Sequence, residues 1–333
     1  MNHTLEVIVN PFGDLKSGSP DNIKQVETVD KVLSKVFETY MNYKNNRDWF
    51  SKMQAEVSSL ELPVLNPDQI STFLQMVVCK KEKAVLEDDY ATALFLTKFV
   101  QDSYLQLKFD NFKLNSMDVV LYGVFDGLKA VEGKPITIIL NGNAGHSFGT
   151  NSRFCNYSVT GNVDSDCGQA AVSCEFNIGK SAGSYCGYRS EDSIFNINGN
   201  AVTNLGSNSV SSQFHVKGRC SGFCGMEAKY SLFNVSGDVG RFFGSRSENS
   251  TYEIGGNLGR SSAQYTRHCI FYLGRDFDEF AFAGDAHYGI FRTKDKAVYE
   301  KLKIVLEKEN QTQEEHHGKA AGREVANKAE LIT

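Results

Sequence analysis

A chain of 333 residues, 41% apolar and 23% charged, has the make-up of an ordinary soluble protein with two or three domains and a sizeable core. Its formal net charge of −5 provides no overall attraction to nucleic acid or anionic membranes, so neither is expected as a partner. The outliers are 29 Gly against 5 Pro, and 23 Phe. These predict many tight turns and something periodic for the rings to fill.

The opening stretch, MNHTLEVIVNPFGDLK, lacks the basic and apolar regions of a signal peptide. No window reaches the roughly 18 apolar residues needed to span a bilayer. A cytoplasmic protein is expected, with its eight cysteines as reduced thiols rather than a disulfide framework. Residues 1–118 read as a mostly helical N-terminal region, with a short strand at Leu5–Val9. Helical spacing of Ile23, Val26, Val29, Val32, Leu33, Val36 and Phe37 predicts a helix from Asp21 to Tyr43, and a second follows from Asn46 to Leu60. Asn66-Pro67 is a cap followed by Pro in the first turn, leading into Ile70–Val78. Asp88 to Leu107 completes the set.

Residues 119–291 carry a repeat of nineteen. From Tyr157 the register lands on Phe176, Phe195, Phe214, Phe233, Tyr252 and Phe271, all aromatic. Two positions on stand Val159, Ile178, Ile197, Val216, Val235, Ile254 and Leu273, and two before stand Cys155, Cys174, Ser193, Ser212, Ser231, Ser250 and Cys269. Glycine recurs at 149, 168, 187, 206, 225 and 244 before Ala263. Small, aromatic and β-branched residues at alternate positions make a strand with one inward face. Such a strand buries that face only by stacking identical coils about 4.8 Å apart. A mainly β fold follows: a right-handed parallel β-helix of 19-residue coils, about nine of them and on the order of 40 Å long. The α-helical N-terminal region should cap one end, and the glycines should mark corners with positive φ. Residues 292–310 are a C-terminal helix built on Val298, Leu302 and Val305, and the polar residues 311–333 are expected to be a disordered tail.

Three constellations could carry function. The cysteines share two columns with Ser, Leu and Phe, which favours buried thiols over metal ligands. Arg241 and Arg260 share a column, with Arg246 and Arg267 near the same end. Stacked like charges need compensation. The favoured source is a salt-bridge network with Asp238, Glu248, Asp276, Asp278 and Glu279, the other reading being an anion or acidic-partner site. Finally, the outward column places Ile194, Leu232 and Ile270 in alternation with polar residues. This is an interaction stripe that a terminal helix or a partner would cover. No cluster of carboxylates, histidine base, Walker or Rossmann pattern emerges, so no catalytic residue, cofactor or metal site is assigned.

The segments NGNAGHSFG (141–149), NGNAVTNLG (198–206) and SGDVGRFFG (236–244) resemble the GXGXG-type β-helix. That domain ends the large chain of glutamate synthase and also forms one component of formylmethanofuran dehydrogenase. The resemblance covers about residues 122–290. It implies a right-handed β-helix with a structural role and no catalytic residues of its own. Paired glycines of the family are replaced by Ser and Asn in SRSENST (245–251). The expectation is a non-catalytic scaffold that mediates protein–protein assembly, with membership of a larger redox or amidotransfer enzyme left open. Protein partners are expected, and homo-oligomerisation is also left open. The alternative is an enzyme or binding protein acting on a glycan or small anionic ligand along the solenoid face.

Overall fold

The computed structural model describes residues 20–44, 50–80, 90–116, 119–278, 280–282, 289–317 and 327–332. The strand predicted at Leu5–Val9 lies outside them. The chain is mainly β, a parallel solenoid of 19-residue coils with helices in the N-terminal region and one C-terminal helix. Each coil contributes one strand to a continuous sheet: β2 (Ile136–Asn141), β3 (Cys155–Val159), β4 (Glu175–Ile178), β5 (Ile194–Ile197), β7 (Gln213–Val216), β9 (Leu232–Val235), β10 (Thr251–Ile254) and β11 (Ile270–Leu273). β1 (Asn111–Asn115) extends it at one end, with β12 (Ile290–Thr293) and β13 (Lys328–Leu331) at the other, giving eleven parallel strands. Register follows the sequence period: Phe176 faces Phe195, and Phe195 faces Phe214. A second side holds β6 (Ala201–Thr203) and β8 (Cys220–Gly222), continued by single-residue bridges such as Val163–Ala182 and Val239–Leu258. A third side is a run of bridges from Arg153 through Glu191 and Lys229 to Arg267.

The interior is a set of ladders. Eight rings from Tyr157 to Phe291 stack with centroids 4.7–5.2 Å apart and planes within 18° of parallel. The inter-strand spacing of a sheet matches the offset-stacking distance of two rings, so one repeat satisfies both. Each buried ring contributes about 1.5–3 kcal/mol of apolar burial. Beside the rings runs a buried hydroxyl ladder. Cys174 N–H donates to Ser193 Oγ at 3.1 Å, and Ser193 N–H donates to Ser212 Oγ at 3.2 Å. Ser212 N–H and Ser231 N–H continue it to Ser231 Oγ and Ser250 Oγ at 3.2 and 3.1 Å. The Oγ of Ser193, Ser212, Ser231 and Ser250 each donates to the carbonyl two residues earlier. Every buried N–H in this run is thus satisfied where the coil turns away from its neighbour. A second polar ladder runs over the opposite corner, where Asn143, Asn162 and Asn200 each accept from the backbone N–H of the next coil.

The corner glycines do more than accept positive φ. Each coil carries left-handed residues at four positions, three of which hold ordinary side chains such as Tyr185, Arg189 and Asp192. From Gly149 to Gly244 the fourth is glycine because the ring stack lies against it, with Ala263 in the next coil: a Cβ on Gly187 would stand 2.5 Å from Phe214 Cε1 and 2.9 Å from Phe195 Cε2. Gly237 has no positive φ, and there a Cβ would meet the Gly218 carbonyl at 2.7 Å. At that column the demand is close approach of coils, not turn geometry.

Both ends are closed by helices. α1 (Pro20–Lys44), α2 (Phe50–Ser59), α3 (Pro67–Lys80) and α4 (Tyr90–Asp102), the last continued by a π turn at Ser103–Leu107, pack around Tyr40, Phe73, Phe95 and Phe99. The predicted cap is a reciprocal pair: Gln69 N–H donates to Asn66 Oδ1 at 2.9 Å and Asn66 N–H to Gln69 Oε1 at 3.0 Å. α3 packs on β1, and Gln75 Nε2 donates to the Asn115 carbonyl at 2.7 Å. α4 serves the first irregular coil through Thr97 and Gln101, which bond the backbone of Phe125 and Lys129.

At the other end α5 (Lys296–His317) is capped by Asp295, which accepts from Ala297 N–H at 2.8 Å and Val298 N–H at 3.1 Å. Here the expectation of a disordered tail from residue 311 is corrected. The helix runs to His317, and Lys328–Leu331 adds as β13 beside β12. The pairing is non-local, so a polar composition conceals it. Residues 318–326 and 333 lie outside the described set.

A stripe and a groove as the candidate functional site

Between the buried residues of each strand, two ladders face outward. The first runs Glu175, Ile194, Gln213, Leu232, Thr251, Ile270 and Ile290. Ile194, Leu232 and Ile270 are half-buried, one on every second rung from β5 to β11. α5 does not account for this: it packs on β12 and β13, so it closes the end of the solenoid. The expectation that a terminal helix lies along the stripe finds no support in that packing.

The second ladder borders a groove of about 710 Å³, lined by Asn234, Glu253, Tyr272, Arg292 and Lys294 and floored by the backbone where the strands end. A smaller hollow of about 220 Å³ continues it over Asn196, His215 and Lys217. Arg292 Nε donates to Glu330 Oε2 at 2.7 Å and Nη1 to Tyr272 Oη at 2.9 Å, and these two acceptors push the guanidinium pKa up. The Arg292–Glu330 bond also ties β13 to the sheet. Asn234 Nδ2 donates to Glu253 Oε2 at 2.5 Å, and Asn196 Nδ2 donates to Asn177 Oδ1 at 2.9 Å. The groove crosses β9 to β12 along the solenoid axis and sets polar side chains beside a largely apolar surface that includes Val235, Ile254, Leu273 and Ile332. Sequence reading missed it because its walls come from residues of different type on successive coils.

The four arginines do not converge. Arg241 stacks over Phe223 of the preceding coil at 5.3 Å, and Arg260 over Phe280 of the following coil at 4.9 Å, so the two lean apart. Arg260 Nε also lies 3.9 Å from Asp278 Oδ1. Arg246 reaches Glu227 at 3.4 Å, and Arg267 shares a backbone β-bridge with Glu248, whose carboxylate lies 3.8 Å from Lys229 Nζ. Glu279, expected in this network, lies outside the described residues. Compensation is therefore part aromatic and part carboxylate, and Glu227, Phe223 and Phe280 are partners that sequence reading did not name. His146, likewise passed over, lies 3.1 Å from Asp164 and stacks on Tyr122. His146 and Asp164 are both about half exposed.

Seven cysteines are buried and unpaired, and Cys79 is exposed. Burial is the main cause pushing up the Cys167 and Cys269 thiols. For Cys220 the neighbouring Cys224 thiol comes first and burial second. These are poor nucleophiles and poor metal ligands at neutral pH. No group of three metal-ligating side chains occurs among the described residues, and no described helix is long and apolar enough to cross a membrane.

Neither a protein-family model, nor a curated protein, nor a solved structure matches this chain. The residues themselves must carry the functional reading.

Proposed function

We propose that this protein is a non-catalytic scaffold whose solenoid presents its outer sheet face to protein partners in a larger assembly. The observation that carries the reading is the alternate-rung placement of Ile194, Leu232 and Ile270 on a sheet whose inward ladders already supply the core. Aliphatic side chains gathered into one outward line are a surface that association would bury. The buried reduced thiols support a cytoplasmic setting. The wind of the coil is taken as right-handed and of the GXGXG type, on the strength of the quoted repeat.

The test is affinity capture from native lysate with the unaltered chain and with Ile194→Asp/Ile270→Asp, followed by sizing of the eluate. A stoichiometric partner lost from the variant supports the docking face. Equal recovery by both chains removes it. A second reading has its own observation. The groove over Asn234, Glu253, Tyr272 and Arg292 offers hydrogen-bonding groups at a repeat of about 4.8 Å, suited to an extended glycan or a small anionic ligand. Saturable binding of such a ligand, abolished by Arg292→Ala, would favour it over the scaffold.

A further inference from the structure

β13 is the one strand of the eleven-stranded sheet that buries no side chain. Each of the other ten buries at least two, as β12 does with Phe291 and Thr293. In β13, Lys328 and Leu331 are exposed and Ala329 and Glu330 only half-buried. Lys, Ala and Glu are also depleted in strands generally. What holds this segment is a slot. One wall is the edge of β12, where Lys328 N–H donates to the Gly289 carbonyl at 2.9 Å and Ile332 N–H to the Thr293 carbonyl at 3.0 Å. The other wall is α5, which packs on both strands. From it the Asn310 side chain donates to the Asn327 carbonyl and accepts the Asn327 N–H, each at 3.4 Å. Arg292 takes the Glu330 carboxylate at 2.7 Å. We propose that this slot accepts an extended, acidic segment of a partner protein, and that Lys328–Leu331 is its resident occupant in the free chain.

The rungs state what the slot prefers. Ala329 faces Phe291 at the end where Val298, Leu302 and Leu306 of α5 already take the apolar space, so a small residue belongs there. Glu330 faces Arg292, so a carboxylate belongs there. Lys328 is a mismatch, an ammonium side chain paired with half-buried Ile290 at the end of the aliphatic stripe. A segment reading aliphatic, small, acidic, aliphatic, with β-branched residues at its ends, matches every rung better than the resident does.

That mismatch also selects the occupant. A tethered strand competes at an effective concentration on the order of millimolar. The same four residues from a second copy bring identical contacts and gain nothing over it. A partner segment with better contacts does gain, by adding its strand to the sheet edge.

Fluorescence anisotropy of the full chain with a labelled peptide NVAEVI tests this; the peptide is residues 327–332 with Val in place of Lys328 and Leu331. The expected result is saturable binding, at least about tenfold tighter than that of the parent peptide NKAELI. Glu330→Ala, which loosens the resident strand, should tighten NVAEVI binding further. Arg292→Glu should abolish it while leaving the far-UV dichroism unchanged, and that variant should bind NVAKVI instead. In the unaltered chain, the Lys328 and Ile332 amides should exchange with solvent at least about a hundredfold faster than those of β11. Equal binding by the Ile194→Asp/Ile270→Asp chain would support a site separate from the stripe. The proposal is overturned if neither the unaltered chain nor Glu330→Ala binds NVAEVI, if NVAEVI and NVAKVI bind alike, or if β13 is as protected as β11. A concentration-dependent dimer that Arg292→Glu abolishes would make a second copy the occupant and overturn the partner assignment.

Discussion

Gly187→Ala tests the claim that ring contact, rather than turn geometry, makes glycine obligatory at that corner. Gly187 has φ +66°, and an added Cβ would stand 2.5 Å from Phe214 Cε1 and 2.9 Å from Phe195. Ordinary carbon contacts lie at about 3.5–4.0 Å, so a ring must move by about 1 Å. It has little room along the axis, since Phe195, Phe214 and Phe233 stack with centroids 5.0 and 4.7 Å apart. The left-handed backbone costs alanine about 1–2 kcal/mol and overpacking about 1–3 kcal/mol. Reduced freedom of the unfolded chain returns about 0.4–1 kcal/mol, leaving a net loss of about 1–4.6 kcal/mol, centred on about 3. Asn208→Ala is the control, because it keeps the left-handed conformation without a facing ring, and Ala170 already occupies its column at φ 53°. That control should cost about 1 kcal/mol or less. Urea titration followed by far-UV dichroism measures both, and hydrogen exchange should place the Gly187→Ala deprotection on the coils that share Phe195 and Phe214. If the two variants lose the same stability, the ring argument is wrong. Ala263 is informative here: alanine enters the glycine column at φ 56°, beside the Phe271–Phe291 step, where the stack opens to 5.2 Å.

Ser212→Ala should cost about 1–3 kcal/mol by leaving the buried Ser193 N–H without an acceptor. Ser212→Cys should cost less, since sulfur fills the same column at Cys155, Cys174 and Cys269; urea midpoints compare them. Asp276 is held below the usual carboxylate range, first by Lys301 at 2.6 Å and then by the Phe277 N–H. A depressed carboxyl contributes stability above its unfolded pKa and loses it as pH falls through the folded value. Docking of α5, followed by hydrogen exchange, should therefore loosen on acidification below the ordinary carboxylate range, and Lys301→Met should remove that dependence. Finally, a thiol reagent at neutral pH should label Cys79 rapidly and the seven buried cysteines only on unfolding. A second fast thiol would contradict the burial.

What was legible in the sequence was whatever every coil demands alike. A ring stack needs a ring on each rung, so the Tyr157-to-Phe271 column announced both the fold and its register. The hydroxyl ladder was visible as a small-residue column, but its hydrogen bonds depend on Ser Oγ reaching a neighbouring coil, which composition does not encode. The left-handed corners stayed hidden because Tyr185, Arg189 and Asp192 adopt them beside the one glycine per coil that points to a turn. β13 was missed for a different reason: Lys328–Leu331 becomes a strand only because β12 offers an edge 38 residues earlier. Of the site, the stripe was readable as an outward column. The groove was not, and the compensation of Arg241 and Arg260 by Phe223 and Phe280 required knowing which coil each side chain leans toward.

The period of a feature separates what the fold requires from what it merely permits. In a solenoid each coil touches only its neighbours, so folding imposes demands that recur every coil. The rings, the β-branched ladder and the corner glycines all obey that period of nineteen. The stripe does not: from β5 to β11 Ile194, Leu232 and Ile270 fall on every second coil, with Gln213 and Thr251 between them on equivalent outward positions, before Ile290 follows directly on Ile270. Any of these rungs could carry a polar residue without loss to the interior, since none of the five side chains faces the core. A doubling of the period on an outward column is therefore a property that stacking did not ask for. A partner surface that meets these aliphatic rungs supplies the missing demand.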